Sequence, residues 1–121
     1  MKIEPLTPAI GATVSGIDLG APTRGMISDL QDALLLYKVL FFREQAITPE
    51  QHIAFARSFG ELEIHPATPK DQPNPEVLHI AHGPESRGSE NFWHSDVTWR
   101  ERPSLGSILH ARLVPPVGGD T

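Results

Sequence analysis

Trp93-His94-Ser95-Asp96-Val97-Thr98-Trp99 sets an imidazole and a carboxylate two residues apart, among residues that favour β structure. In an extended strand, side chains at i and i+2 leave the same face. His94 and Asp96 are therefore expected to aim one nitrogen and one oxygen at a common point. These are two members of the 2-His-1-carboxylate set that holds non-haem Fe(II) with coordination positions left open. On spacing alone, a solvated surface pair is the commoner fate of His-x-Asp. Trp93 and Trp99 bracket the pair and supply the aromatic walls of a dry, shaped cavity. No second histidine is evident as the third ligand before Thr121.

Upstream, Ala9 to Leu19 reads as a short β segment broken by Gly11 and Gly16. Ile27 to Tyr37 carries Ile27, Leu30, Leu34 and Tyr37 at helical spacing. Lys38 to Arg43 is a brief continuous apolar run, read as a buried strand. Thr48-Pro49-Glu50-Gln51 predicts a helix start, with Thr48 as N-cap, Pro49 in the first turn and Gln51 closing a capping box. That helix is expected to bury Ile53, Ala56 and Phe59 and to end at Gly60 as C′. Residues 61–91 are rich in proline and glycine and read as a loop-rich surface, the kind of segment that carries substrate contacts. Val77 to His82 is the strand expected within it. Downstream, Ser104 to Leu113 places Leu105, Leu109, Ala111 and Leu113 on one parity and predicts a half-buried strand. The pattern as a whole predicts a mainly β fold with flanking helices, a sandwich or jelly roll. A last strand followed by a bare turn at 114–121 needs a partner, so the chain is expected to be a portion of a larger domain.

Composition narrows the chemistry. Of 121 residues, 39% are hydrophobic and 21% charged, with a net charge of −5, as in an ordinary globular domain. The basic residues are scattered, without the stripe that a nucleic-acid groove requires. The absence of cysteine excludes disulfides, thiolate ligands and a Cys nucleophile. The first ten residues lack the apolar core of a signal peptide, and Val39 to Phe42 is too short to span a bilayer. The expected location is the cytoplasm, away from membranes.

The other histidines divide. His65, in Glu63-Ile64-His65-Pro66, suits either a hydrogen-bonded structural role or a contact to an anionic substrate. His79 and His82, three apart in the expected strand, face opposite sides and make a poor chelating pair. His52 and His110 read as structural. Gly118-Gly119-Asp120-Thr121 is a hairpin turn by composition, or a place where backbone approaches a small ligand while the Thr121 hydroxyl binds a carboxylate. No nucleophile elbow, phosphate-binding glycine loop or paired zinc motif is present. A hydrolytic zinc site built from His94, Asp96 and another histidine stays open at this point.

Taken in order, several stretches resemble the taurine dioxygenase / 2,4-dichlorophenoxyacetate dioxygenase family of Fe(II)- and 2-oxoglutarate-dependent oxygenases. They are Ile10-Gly11-Ala12 with Ser15-Gly16-Ile17-Asp18-Leu19, then Val39 to Gln45, then Phe59-Gly60-Glu61-Leu62 with Ile64-His65-Pro66. Trp93 to Thr98 and Gly118 to Thr121 complete the series. The resemblance implies a double-stranded β-helix (jelly roll) with flanking helices, of which residues 1–121 form the N-terminal portion of a single dioxygenase domain. It implies Fe(II) held by His94 and Asp96, and 2-oxoglutarate hydrogen-bonded by Thr121. His65 and Val97 match positions that contact substrate in the taurine branch.

Two positions depart from that branch. Thr68 stands where a tyrosine is expected, and Glu90 where a substrate-contacting asparagine is expected. Both bear on recognition of the amino end of taurine. The activity implied is hydroxylation of a small anionic substrate by O2 and 2-oxoglutarate, with sulfite released when the carbon bears a sulfonate. Sulfate esters and aryloxyalkanoates are the alternative substrates, and a catalytically inactive segment is the non-enzymatic reading. The distal histidine and the arginine that anchors 2-oxoglutarate are expected beyond Thr121. Self-association is frequent in such families, but no interface is legible.

Overall fold

Gly11 and Gly16 have φ of +89° and +71°, conformations that cost an L-residue roughly 1–2 kcal/mol. The strands fall around these two breaks: Lys2–Pro5 is β1 and Ala12–Ser15 is β2, paired antiparallel with Ile3 opposite Val14. The structure, a computed structural model, describes residues 1–66, 68–69, 71–83, 94–96 and 99–117. It divides into two compact units, Met1–Ile80 and Ala81–Thr121.

In the first unit, α1 spans Arg24–Tyr37, β3 spans Leu40–Phe42 and α2 spans Pro49–Arg57. β3 lies parallel to β2, with Val14 opposite Phe42, and the sheet order is β1-β2-β3. Parallel neighbours need a crossover connection, and α1 supplies it. Thr23 caps α1 by accepting the Met26 N–H at 3.2 Å. The helix closes on Lys38, whose N–H donates to the Leu34 carbonyl at 2.8 Å and whose ammonium donates to the Leu35 carbonyl.

α2 begins as the sequence predicts. Thr48 Oγ1 accepts the Gln51 N–H at 3.2 Å, and Gln51 Oε1 accepts the Thr48 N–H at 2.9 Å. Its buried residues are Ile53 and Phe55, however, and it ends at Arg57 with Ser58 as C-cap. Ala56 is half-buried, and Phe59 lies past the helix, edge-on to Phe55 at 5.3 Å between ring centroids. Phe55, one residue before the expected Ala56, takes the buried position, and it also meets Phe42 of β3 at 6.2 Å. An aromatic anchor of this kind outweighs a small Ala in apolar area buried.

The core consists of Val14, Leu19, Leu30, Ile47 and Phe55, with Ile3, Met26, Leu40 and Phe42 packed against it. Burying each large apolar side chain is worth about 1.5–3 kcal/mol. Among the described residues β3 is an edge strand: Leu40 and Phe42 face the core, while Phe41 is 40% exposed. The expectation of a buried strand at 38–43 is thus corrected to a strand at Leu40–Phe42 with one covered face. β1 was not legible in the sequence. It has only four residues and ends on Pro5, which an edge position tolerates.

The observed elements amount to a small mixed sheet with two helices. Val77 to His82 and Ser104 to Leu113, both expected as strands, are irregular. Leu105, Leu109 and Leu113 are 75%, 79% and 92% exposed. Apolar alternation records a preference for one covered face. A strand forms only when its N–H and C=O groups also find a neighbouring chain, and no ladder meets these segments among the described residues. Among the described residues, no helix is long and apolar enough to cross a membrane.

Candidate functional site

In the second unit, His94 Nε2 and Asp96 Oδ1 stand 3.2 Å apart. The backbone there is irregular, with a turn at Asp96, rather than the expected strand. The two side chains converge all the same. Their side chains are 54% and 68% exposed, so the pair is open to an incoming ion. Two donors about 2.1 Å from one ion and at right angles to each other stand about 3 Å apart. The observed separation is that of a close imidazole–carboxylate pair and lies near the chelate spacing, and an imidazole nitrogen with a carboxylate oxygen is a donor set suited to Fe(II). Among the described residues no third His, Cys, Asp or Glu gathers with the pair.

The environment differs from the one anticipated. Trp99 is 70% exposed, so among the described residues it forms no cavity wall for the pair. An indole is covered only when other apolar groups pack on it. Trp93, Val97, Glu90 and Thr121 lie outside the described residues.

His65 belongs to the first unit and is exposed on its loop. Its carbonyl accepts the Thr68 N–H at 2.9 Å, which closes a turn between the two residues. Thr68 is 5% exposed, and its Oγ1 has no hydrogen-bond partner among the described residues. A buried hydroxyl left in that state costs about 1–3 kcal/mol. Spacing gave no sign that this threonine turns inward. His79 and His82 are exposed on irregular backbone, His52 is half-buried on α2, and His110 is half-buried in the second unit.

A further polar arrangement escaped the sequence. The Glu50 carboxylate accepts from Asn74 Nδ2 at 3.2 Å, and Arg57 Nη2 reaches Glu76 Oε1 at 3.0 Å. These contacts tie residues 74–76 along α2. A cleft of about 500 Å³ opens beside them, lined by Arg57, Gly60, Glu61, Leu62 and Glu76. The Glu50 backbone N–H at the helix start, the Thr48 hydroxyl and the Asn74 amide, in that order, hold the Glu50 carboxyl below the usual carboxylate range. The only hint in the sequence was the seven-residue interval between Glu50 and Arg57, two turns on one helix face.

Comparison with known proteins bears on this arrangement. The sequence model of the family described as "Taurine catabolism dioxygenase TauD, TfdA family" matches residues 2–121. An (S)-phenoxypropionate/alpha-ketoglutarate-dioxygenase of Sphingobium herbicidovorans is 35% identical, over 98% of this chain and 43% of its own length. An alkylsulfatase of Acinetobacter baylyi is 34% identical, over all of this chain and 38% of its own length. The chain thus spans about two fifths of these curated relatives. The crystal structure of a taurine dioxygenase from Burkholderia xenovorans is similar with a TM-score of 0.51 and 41% identity, covering 52% of this chain and 24% of that one.

Proposed function

The chain belongs to the taurine catabolism dioxygenase TauD, TfdA family, and from that premise we propose that the whole protein is an Fe(II)- and 2-oxoglutarate-dependent dioxygenase. Its substrate is a small organic oxyanion, an alkyl sulfonate ahead of a sulfate ester or an aryloxyalkanoate. The observation that carries this reading is the 3.2 Å approach of His94 Nε2 to Asp96 Oδ1, a spacing at which both atoms reach one ion. Support for the oxyanion class comes from the relatives, whose names cover a phenoxypropionate, an alkyl sulfate and taurine.

His94, as a neutral imidazole, and Asp96, as a carboxylate, would hold the iron. Binding the ion therefore releases any proton on the pair. When bound, Fe(II) supplies O2 activation coupled to oxidation of 2-oxoglutarate to succinate and CO2, with the second oxygen atom entering a substrate C–H bond. Thr121 hydrogen-bonds the far carboxylate of 2-oxoglutarate, and His65, Thr68, Val97 and Glu90 line the substrate. A third ligand, a histidine, and an arginine for 2-oxoglutarate belong to the further length that the relatives have. Residues 1–121 are accordingly the N-terminal portion of one jelly-roll domain in a cytoplasmic enzyme. When the hydroxylated carbon bears a sulfonate, its C–S bond breaks to give an aldehyde and hydrogen sulfite.

The test is an assay of the whole protein against an alkyl sulfonate, an alkyl sulfate and an aryloxyalkanoate. Succinate formation is expected to require Fe(II), 2-oxoglutarate and O2 together, with sulfite released from the sulfonate. Product formed with Zn(II) and without 2-oxoglutarate would instead establish hydrolysis and overturn the reading.

A further inference from the structure

The chain leaves α2 at Arg57 and comes back to the same helix 19 residues on. The return is braced from within: the Val77 N–H donates to the Asn74 carbonyl at 2.9 Å, and Gln72 Nε2 donates to the Val77 carbonyl at 3.1 Å. Asn74 has φ of +56°, in the left-handed region that asparagine tolerates. Asn74 meets Glu50 in the first turn of α2, and Glu76 meets Arg57 in the last. Seven helical residues rise about 10 Å, more than two extended residues span, and the long Arg57 and Glu76 side chains make up the difference. A cleft of about 500 Å³ is lined by Gly60, Glu61 and Leu62 on the departing side and by Glu76 on the returning side. The ion pair therefore bridges a gap that packing does not fill.

With side chains 62% and 20% exposed, Arg57 and Glu76 are solvated enough for water and salt to screen them. An exposed pair of this kind shifts an equilibrium by about fivefold at most. That is small against global unfolding, and of the size that decides whether a surface loop stays on its support. The loop closed at this neck carries His65. We propose that Arg57 and Glu76 are positioning residues, which hold the loop on α2 and so fix where His65 stands relative to the substrate, without either touching the substrate. This rests on the dioxygenase reading and extends it to residues outside the substrate contacts. When the neck loosens, the binding-competent fraction falls and the apparent substrate affinity falls in proportion. Fe(II) and 2-oxoglutarate, assigned to residues outside the loop, are unaffected.

The test uses the whole protein with Fe(II), 2-oxoglutarate and O2, on whichever alkyl sulfonate, alkyl sulfate or aryloxyalkanoate wild type oxidises best. Wild type is compared with Arg57→Ala, Glu76→Ala and the double variant. Each single variant is expected to raise the substrate KM by about three- to fivefold. Its kcat and its KM for 2-oxoglutarate should stay within about twofold of wild type. The double variant should be no worse than the larger single one, because all three remove one interaction. The signs are diagnostic. Charges acting only through their field on an anionic substrate would shift KM in opposite directions, up without the cation and down without the anion. Opposite shifts would overturn the inference, as would a substrate KM within about 1.5-fold of wild type in both single variants. An equal rise in KM for substrate and 2-oxoglutarate would overturn it too. Amide exchange at residues 61–65 is expected to quicken about threefold in each single variant, with α1 unchanged. Unchanged exchange at 61–65 overturns the inference whatever the kinetics. Should an alanine variant fail to fold, Arg57→Lys and Glu76→Gln, which weaken the pair while keeping side-chain length, are read by the same criteria. If wild type turns over and neither variant moves KM, this inference alone falls. If wild type oxidises none of the oxyanions, the dioxygenase reading falls and takes the inference with it.

Discussion

Gln45 joins three backbone groups that no secondary structure serves. Its Oε1 accepts the Leu19 N–H at 3.0 Å, and its Nε2 donates to the Arg43 carbonyl at 3.1 Å and the Ile17 carbonyl at 3.4 Å. Leu19 belongs to the core, so Gln45 fixes where the segment after β2 enters it. Gln45→Ala leaves the Leu19 N–H without this acceptor and is expected to lower stability by about 1–3 kcal/mol, read as a lower urea midpoint at unchanged slope. A change below about 0.5 kcal/mol would mean that water replaces the side chain. The role was illegible in the sequence, where Gln45 and Leu19 are 26 residues apart. The His94 and Asp96 pair was legible, because its partners are two positions apart and need no knowledge of the rest of the fold. Trp99 shows the opposite case: an aromatic residue beside a candidate ligand reads as a wall, yet its cover depends on groups that local sequence does not specify.

Helix α2 was the best-read element, since its capping box is wholly local and each contact lies within four residues. The strands fared differently. β2 was anticipated through Gly11 and Gly16, whereas Val77 to His82 and Ser104 to Leu113 have strand-like composition without a ladder among the described residues. Strand formation depends on a partner, and periodicity cannot say whether one is at hand. The start of α2 also has a pH signature. The carboxylate form of Glu50 is favoured in the folded state, so its pKa lies below the ordinary value of 4.5. The stability it contributes is fully present above that ordinary value and is lost as pH falls through the lowered folded pKa. Urea melts of wild type and Glu50→Gln should therefore differ most near neutrality and converge in acid. A gap that stays constant from pH 7 to about pH 2 would contradict this assignment.

At the scale of the whole molecule, the two units carry different parts of the proposed chemistry. Met1–Ile80 holds the sheet, both helices and the His65–Thr68 turn, and Ala81–Thr121 holds His94 and Asp96. Family membership was legible from motif order along nearly the entire chain, and the match over residues 2–121 agrees with it. The complete β architecture was not, because the β-favouring run of Trp93 to Trp99 and the alternation of Ser104 to Leu113 specify a period but not its partners. The central claim is that His94 and Asp96 hold iron for an oxidation driven by 2-oxoglutarate. Its most direct test is Fe(II) binding by anaerobic equilibrium dialysis of the whole protein, with succinate formation measured in parallel, for wild type and Asp96→Ala. The account predicts one Fe(II) per wild-type chain. In the variant, affinity should fall by more than the roughly 10–100-fold typical of losing a supporting partner, with substrate-coupled succinate formation abolished. An Asp96→Ala protein that binds Fe(II) as wild type does and turns over near normally would contradict it.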